Sequence, residues 1–120
     1  MKTSLVVKLT SGAEAPERAN QAFTVAATAL ATGVSVSLWL TGESAWFGVP
    51  GRAEEFELPE ATPLASLRDS VLAGGLLTVC TQCAARRGIG ADDLIDGVRV
   101  AGSASFVEEA LADGAQALVY

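Results

Sequence analysis

Two cysteines separated by two residues are the side chains most able to do chemistry in this sequence. Cys80 follows four apolar or β-branched residues (76–79), and Cys83 lies three positions later in a short segment that Gly88 closes. This pattern predicts a buried strand, a tight turn and a short helix, with Cys80 where the helix begins. Unpaired backbone N–H groups and the helix dipole stabilise a thiolate there. We therefore predict that Cys80 is a reactive nucleophile and that Cys83 is its resolving partner or a second ligand.

The residue types elsewhere exclude several alternative chemistries. The chain has no histidine, so Ser–His, Cys–His and His-metal sites cannot form within it. Two cysteines are too few for a zinc site, which needs about four ligands, and we predict neither a metal nor a cofactor. A thioredoxin-like site is disfavoured because no proline follows Pro63, whereas that fold places one after its cysteines.

The composition predicts one globular domain over residues 1–120. Half of the residues are hydrophobic, 18% are charged, and the formal net charge is −6. An acidic chain argues against nucleic acid or an anionic membrane as the main partner. Residues 19–42 carry no charge, but polar side chains and Gly33 interrupt them, so we expect no membrane span. With no signal peptide pattern and so few cysteines, we expect a cytoplasmic protein.

Hydrophobic periodicity predicts alternating strands and helices along the whole chain. Near-continuous apolar runs are typical of buried parallel strands, and the alternation predicts a three-layer α/β domain of about five mostly parallel strands with helices on both faces. The predicted strands are 5–9, 34–40, 76–79, 98–102 and 115–120, and the predicted helices are 17–31, 64–73, a short one after Cys80 and 104–112.

Some local predictions concern caps, faces and loops. Ser103 is expected to cap the last helix, with Phe106, Val107, Ala110 and Leu111 facing inward and Glu108 and Glu109 facing solvent. Asp92 is expected to cap a short helical segment between Gly90 and Gly97. Residues 48–63 are predicted to be a surface loop with a short extended piece around Phe56.

Ligands of an open α/β sheet bind at the carboxyl ends of its strands, and five further residues are candidates for such a site. Ser11 and Gly12 suit either an anion-holding turn or an ordinary turn. The backbone N–H of Gln82 is expected to stabilise the thiolate. Trp46 either lines a pocket or lies in the core or an oligomer contact. Arg86, with its neighbour, either holds an anionic sulfur substrate or compensates the helix carboxyl end.

Several of these residues together resemble the DsrE/DsrF-like proteins, which include the TusD-type subunits of sulfur relays. The resemblance rests on Val79-Cys80 with Cys83, Arg87-Gly88-Ile89, Gly102 before a helix, and the closing 117–120 strand. It implies a five-stranded, mostly parallel sheet and cytoplasmic homo- or hetero-oligomers, often trimers or hexamers. In the sulfur-relay members, a cysteine at the end of the third strand accepts sulfane sulfur as a persulfide. Cys80 matches that position, and Cys83 is an addition found in some members.

Three functional hypotheses follow. The first is a sulfur carrier, or sulfurtransferase-like protein, that exchanges sulfur with donor and acceptor proteins through a persulfide on Cys80. The second is a non-catalytic oligomeric module that binds a small ligand or a partner at the strand ends, near Ser11, Trp46 and Cys80. The third is a thiol–disulfide redox switch formed by the two cysteines.

Overall fold

The computed structural model describes all residues from Met1 to Tyr120 and contains one five-stranded parallel sheet, ordered β4-β3-β2-β1-β5. Five α-helices and two 3-10 helices connect the strands. The strands are β1 (Ser4–Leu9), β2 (Ser35–Leu40), β3 (Leu76–Cys80), β4 (Arg99–Ala101) and β5 (Ala115–Val119). The α-helices are α1 (Pro16–Ala31), α2 (Arg52–Glu55), α3 (Leu64–Gly74), α4 (Thr81–Arg86) and α5 (Ser103–Ala110), and the 3-10 helices are Gly42–Gly48 and Ala91–Asp93.

One face of the sheet, which we call the α1/α3 face, is closed by apolar packing. Alternate residues of the central strands, such as Val7, Leu38 and Val79, are fully buried in a cluster that includes Phe23 of α1 and Val71 of α3. The 3-10 helix Gly42–Gly48 adds a second aromatic ring, that of Phe47, whose centroid lies 5.8 Å from that of Phe23 in an edge-on arrangement. The face is therefore the hydrophobic core of the protein.

The opposite face, which we call the α5 face, is covered by α5. Side chains alternate along a strand, so the register places Lys8, Trp39 and Thr78 side by side on this face. Phe106 of α5 meets Trp39 edge-on, with ring centroids 5.6 Å apart. Arg99 and the carboxylate of α5 residue Glu109 complete the layer with a 2.6 Å ion pair. Charged and aromatic contacts therefore dominate the α5 face.

The predicted α/β architecture and its parallel sheet are confirmed. Each predicted strand and long helix lies within two residues of its observed bounds, which is the usual uncertainty of element ends. Even the longest helix, α1 with 16 residues, falls short of the length and apolar content that crossing a membrane requires.

The predicted loop 48–63 contains a short helix, α2, which the local sequence does not predict. Its residue Glu54 accepts two hydrogen bonds, of 2.8 and 2.7 Å, from the guanidinium of Arg68 on α3. The Arg68 side chain is 6% exposed, so this pair anchors the segment to the core edge. Phe56, expected to be extended, has extended backbone angles at the end of α2.

The predicted arrangement of α5 is wrong in three respects. The helix begins at Ser103 itself, with Gly102 in the capping position and no side-chain cap. Val107 and Leu111, expected to face inward, are 49% and 78% exposed, because α5 turns its Phe106 and Glu109 side towards the sheet. Glu109, expected in solvent, is held by three side chains from the strands.

The predicted cap of the segment between residues 90 and 97 is also wrong. The 3-10 helix Ala91–Asp93 begins after Gly90, so Asp92 lies inside it and not before it. The carboxylate of Asp93 accepts a 2.8 Å hydrogen bond from the backbone N–H of Gly90. The capping carboxylate is therefore one residue later than predicted, at the usual distance of three residues from the group it satisfies.

Candidate functional site

Cys80 is the last residue of β3 and directly precedes the first turn of α4. Its register partner on β4 is Ala101, and by alternation it belongs to the α5 face, like Thr78. Its side chain is partly buried, and both cysteines are free thiols. The turn from strand to helix therefore leaves the sulfur of Cys80 at the carboxyl end of the sheet, partly open to solvent.

The surroundings of Cys80 favour its thiolate form. Partial burial raises the pKa of the thiol, but hydrogen bonds from the N–H and the thiol of Cys83 and from the N–H of Gln82 lower it. The positive charge of Lys8 acts in the same direction, and the pKa of Cys80 lies below its usual value. A lowered pKa increases the fraction of nucleophilic thiolate at neutral pH.

Cys83, in contrast, is buried among core residues. Its side chain belongs to the cluster on the α1/α3 face and is 8% exposed. Its sulfur accepts a 3.2 Å hydrogen bond from the backbone N–H of Gly42. The site therefore contains one partly exposed sulfur and one buried sulfur, both with backbone donors.

Close backbone packing fixes the loop that supplies this donor. Gly42 has a φ of +56°, and a Cβ there would lie 2.5 Å from the carbonyl oxygen of Thr10. A Cβ on Gly12 would lie 2.8 Å from the carbonyl oxygen of Glu43. Both positions therefore need glycine, and the loop after β1 is packed directly against the loop after β2.

Of the two arginines that follow the cysteines, Arg87 is engaged and Arg86 is free. Arg87 donates from Nε to Glu43 at 2.6 Å and from a terminal nitrogen to the carbonyl oxygen of Cys83 at 3.1 Å. It thus compensates the carboxyl end of α4 and joins it to the loop after β2. Arg86 is exposed and makes no hydrogen bond or ion pair.

The other predicted binding residues lie in different surroundings. Ser11 is 5% exposed, and its hydroxyl has no hydrogen-bond partner. Trp46 lines a cavity of about 260 Å³ together with Glu14, Glu43 and Glu55, and the guanidinium of Arg52 lies 4.2 Å from its ring centroid. Neither cysteine lines that cavity, so the structure does not bring Trp46 and Cys80 together in one pocket.

Sequence reasoning missed the polar network on the α5 face. Glu109 accepts hydrogen bonds from Ser37 at 2.5 Å, Trp39 at 3.0 Å and Arg99 at 2.6 Å. Burial raises the pKa of this carboxyl, but these three donors and the charge of Arg99 lower it by more, so that the pKa of Glu109 lies below its usual value. Arg99 also donates to Thr78 at 2.8 Å. The only sequence signal was the placement of polar residues on otherwise apolar strands.

Lys8 was missed as well. Its ammonium lies 5.2 Å from the ring centroid of Phe106 and forms no ion pair with a carboxylate. No group of three or more His, Cys, Asp or Glu side chains converges in a geometry that could hold a metal ion. The groups near Cys80 are therefore backbone donors, a second thiol and a lysine.

Comparison with known proteins shows which family has this architecture. The model of the DsrE/DsrF-like family matches residues 3–120. The crystal structure of the ychN protein from E. coli has a TM-score of 0.80 and 18% identity, covering all of both chains. MTH1491 from Methanobacterium thermoautotrophicum, a protein of unknown function, has a TM-score of 0.70 and 13% identity, covering 99% of this chain and all of its own. No functionally curated protein is significantly similar to the chain.

The family match spans nearly the whole sequence, and the two structural matches, at such low identity, support the fold alone. The five parallel strands and the cysteine at the end of the third strand agree with the resemblance seen in the sequence. The chain therefore belongs to the DsrE/DsrF-like family.

Proposed function

We propose that the protein is a sulfur carrier that holds sulfane sulfur as a persulfide on Cys80. The observation that carries the proposal is the partly exposed sulfur of Cys80, which faces the N–H groups of Gln82 and Cys83 and has a lowered pKa. These groups stabilise negative charge on the resting thiolate. They would also favour a persulfide there, which is anionic at neutral pH and carries its charge on the adjacent terminal sulfur.

Loading is a thiolate exchange. The Cys80 thiolate attacks the terminal sulfur of a donor persulfide, forms a new S–S bond, and breaks the donor S–S bond. The donor leaves as a thiolate, so the sulfur atom moves without any net oxidation. An acceptor thiolate then removes the same terminal sulfur in the same way and regenerates the Cys80 thiolate.

Cys83 offers a second exit for the bound sulfur. Its thiol follows three residues along the chain and is one of the groups that lower the pKa of Cys80, so it is the candidate for attack on the inner sulfur of the persulfide. That attack forms a Cys80–Cys83 disulfide and releases hydrosulfide. Two external thiols must then reduce the disulfide, which restores both free cysteines. Cys83 therefore acts as the resolving residue when no acceptor is bound.

The experiment is whole-protein mass spectrometry after incubation with a small persulfide donor. The wild-type protein is expected to gain the mass of one sulfur atom, and reductant is expected to remove it. Cys80→Ser should abolish the gain, whereas Cys83→Ser should retain the persulfide longer because its resolving thiol is missing. Equal loading of the two variants, or no loading of the wild type, would contradict the proposal.

The pH dependence of alkylation tests the same thiolate independently. Because the pKa of Cys80 is lowered, its reaction with iodoacetamide should reach half its maximal rate at a lower pH than the reaction of an unperturbed cysteine thiol does. Cys83 should react more slowly, since its sulfur is buried. A midpoint at or above that of a free cysteine would remove the basis for a reactive Cys80.

A second candidate function is a thiol–disulfide switch, which the C-x-x-C spacing of two free thiols favours. A disulfide would withdraw the Cys83 sulfur from Gly42 N–H and so alter the loop after β2. Glutathione titration followed by acid quenching distinguishes the two functions. A switch gives a reversible loss of two hydrogen masses at physiological redox ratios without any sulfur donor, whereas a carrier requires the donor.

We also propose that copies of the chain assemble into a trimer or hexamer in the cytoplasm, where donor and acceptor proteins would reach Cys80. Most of the exposed large apolar side chains lie on α5, at its carboxyl end or on the strands beneath it. These are Leu76, Val107, Leu111 and Val119, with exposures of 49%, 49%, 78% and 65%. Apolar groups concentrated on one side of a small domain are typical of an interaction surface. The reduced cysteines fit a reducing compartment.

A further inference from the structure

The charge of Lys8 lies on the same face of the sheet as Cys80. Lys8 of β1 pairs with Trp39 of β2, and Trp39 pairs with Thr78 of β3. Side chains two residues apart on a strand share a face, so Cys80 follows Thr78 on that face, one step closer to the carboxyl end. The backbones of Lys8 and Cys80 are thus about two strand spacings, or roughly 10 Å, apart across the sheet and about 7 Å apart along it.

The Lys8 side chain can shorten that separation. Its four methylenes carry the ammonium away from β1, and the ammonium lies 5.2 Å from the ring centroid of Phe106, in the first turn of α5. The helix α5 starts at Ser103, two residues after Ala101, which is the register partner of Cys80. The ammonium therefore lies at the end of the α5 face where Cys80 stands.

Lys8 also differs from the guanidinium groups around it. Arg99 on the same face is paired with Glu109 at 2.6 Å, and Arg87 near the cysteines is paired with Glu43 at 2.6 Å. Lys8 has only the ring of Phe106 as a partner and no carboxylate. A charge that is not neutralised by an ion pair remains available to an incoming anion.

We propose that Lys8 selects anionic sulfur donors, such as persulfide anions and inorganic polysulfides, over neutral ones at Cys80. This inference rests on the proposed function, because it names the class of donor that the carrier accepts. Lys8 attracts the negative charge of the donor towards the sulfur without taking part in the S–S exchange. It is a specificity residue.

The effect of Lys8 on the pKa of Cys80 agrees with this placement. Lys8 is the charged side chain that lowers this pKa through Coulomb attraction. The carboxylate that shares the face, Glu109, is held by Ser37, Trp39 and Arg99. Ser37 pairs with Leu76 at the start of β3, so the carboxylate lies towards the opposite end of the face from Cys80.

Two alkylating reagents that differ in charge test the inference on the full chain. Iodoacetate and iodoacetamide attack the same thiolate by the same reaction, but only iodoacetate is anionic. Rates are measured in a Cys83→Ser background, at a pH where Cys80 is fully ionised, so that a change in its pKa cannot alter the ratio. Lys8→Gln should lower the iodoacetate rate about two- to fivefold relative to the iodoacetamide rate at low salt, with the difference shrinking as salt rises.

Two further variants make the test specific. Lys8→Arg keeps the charge and should keep the wild-type ratio. Lys2→Gln makes the same charge change at the other end of the sheet, where Lys2 donates to the carbonyl oxygen of Ala115, and should also leave the ratio unchanged. If Lys8→Gln slowed both reagents equally, or if Lys2→Gln changed the ratio as much, Lys8 would not select anions.

Failure of this inference can be distinguished from failure of the proposed function. Sulfur loading from polysulfide with an unchanged alkylation ratio in Lys8→Gln would overturn the role of Lys8 and leave the carrier function standing. A changed ratio without sulfur loading from any donor would retain Lys8 as an anion-attracting residue and overturn the carrier function.

Discussion

The two faces of the sheet are built in different ways. The α1/α3 face is closed by two long helices over fully buried aliphatic residues, such as Val7 and Leu38. The α5 face has one eight-residue helix, held by an ion pair, hydrogen bonds to Glu109 and an edge-on aromatic pair. The free energy of unfolding rises with the apolar area that is buried, whereas each polar contact that replaces a contact with water adds less to it. The first face therefore supplies most of the stability, and the second leaves Cys80 and Lys8 partly accessible.

The two cysteines divide between these faces. Cys83 packs into the cluster of the α1/α3 face, while Cys80 follows the register of the α5 face. The short helix α4 joins them across the end of the sheet. The sulfur of Cys80, at the edge of the weaker layer, is accessible without opening the core, whereas the sulfur of Cys83 is buried in the core.

The largest expected effect comes from removing one aromatic ring from each face. Phe23 is fully buried, so Phe23→Ala should lower the free energy of unfolding by about 3–5 kcal/mol. Phe106 is only partly buried, and Phe106→Ala should cost about 1–2 kcal/mol, mainly through its contacts with Trp39 and Lys8. Urea denaturation of both variants measures the difference. Similar losses would mean that α5 contributes to the core as much as α1 does.

The architecture could be predicted because its signals are local. Buried parallel strands give continuous apolar runs, and α1 and α3 repeat apolar residues at helical spacing, so each element is visible within its own segment. The position of Cys80 follows from the same signals, since a strand followed by a helix defines the turn between them. Gly33 and Gly75, which follow α1 and α3, helped to place the ends of these helices within one residue of the observed ends.

What could not be predicted depends on residues distant in sequence. Glu109 meets Ser37 and Trp39 from 72 and 70 positions away, and no local pattern distinguishes it from its exposed neighbour Glu108. The short helix α2 is anchored by Arg68, 14 positions from its partner Glu54. Lys8 looked like an isolated charge in an apolar strand, because its relation to Cys80 exists only once the strands are in register.

A smaller loss of stability is expected when the carboxylate that holds α5 to the sheet is removed. Glu109→Gln should cost about 1–2 kcal/mol at neutral pH, because the ion pair with Arg99 and charge-assisted hydrogen bonds are lost. Glu108→Gln, the adjacent exposed residue, is the matched control and should change stability by less than about 0.5 kcal/mol. Equal effects of the two substitutions would mean that the hydrogen bonds and the ion pair of Glu109 do not stabilise the α5 face.

The loss of stability caused by Glu109→Gln should depend on pH, and the direction of that dependence can be stated. The pKa of Glu109 is lowered in the folded protein, so its contribution is fully present above the unfolded value of about 4.3. It is lost as the pH falls through the lower, folded-state pKa. The gap in stability between the wild type and Glu109→Gln should therefore narrow as the solution is acidified, and urea denaturation at several pH values measures it. A gap that stays constant would mean that the carboxylate charge is not the source of the effect.

The smallest expected effect on the fold is at the exposed carboxyl end of α5, where Leu111 is the C-cap residue. Leu111 is 78% exposed, so Leu111→Ser should change the free energy of unfolding of the isolated chain by less than about 0.5 kcal/mol. If copies of the chain assemble through this surface, the same substitution should lower the mass measured by light scattering, because the apolar contact between copies is lost. Val100→Ser is the matched control, since Val100 is 40% exposed on the edge strand β4 and is paired with Val79, on the α1/α3 side. If Val100→Ser abolished assembly and Leu111→Ser did not, the contact between copies would lie at the edge of the sheet. The exposed apolar side chains around α5 would then not be the interface.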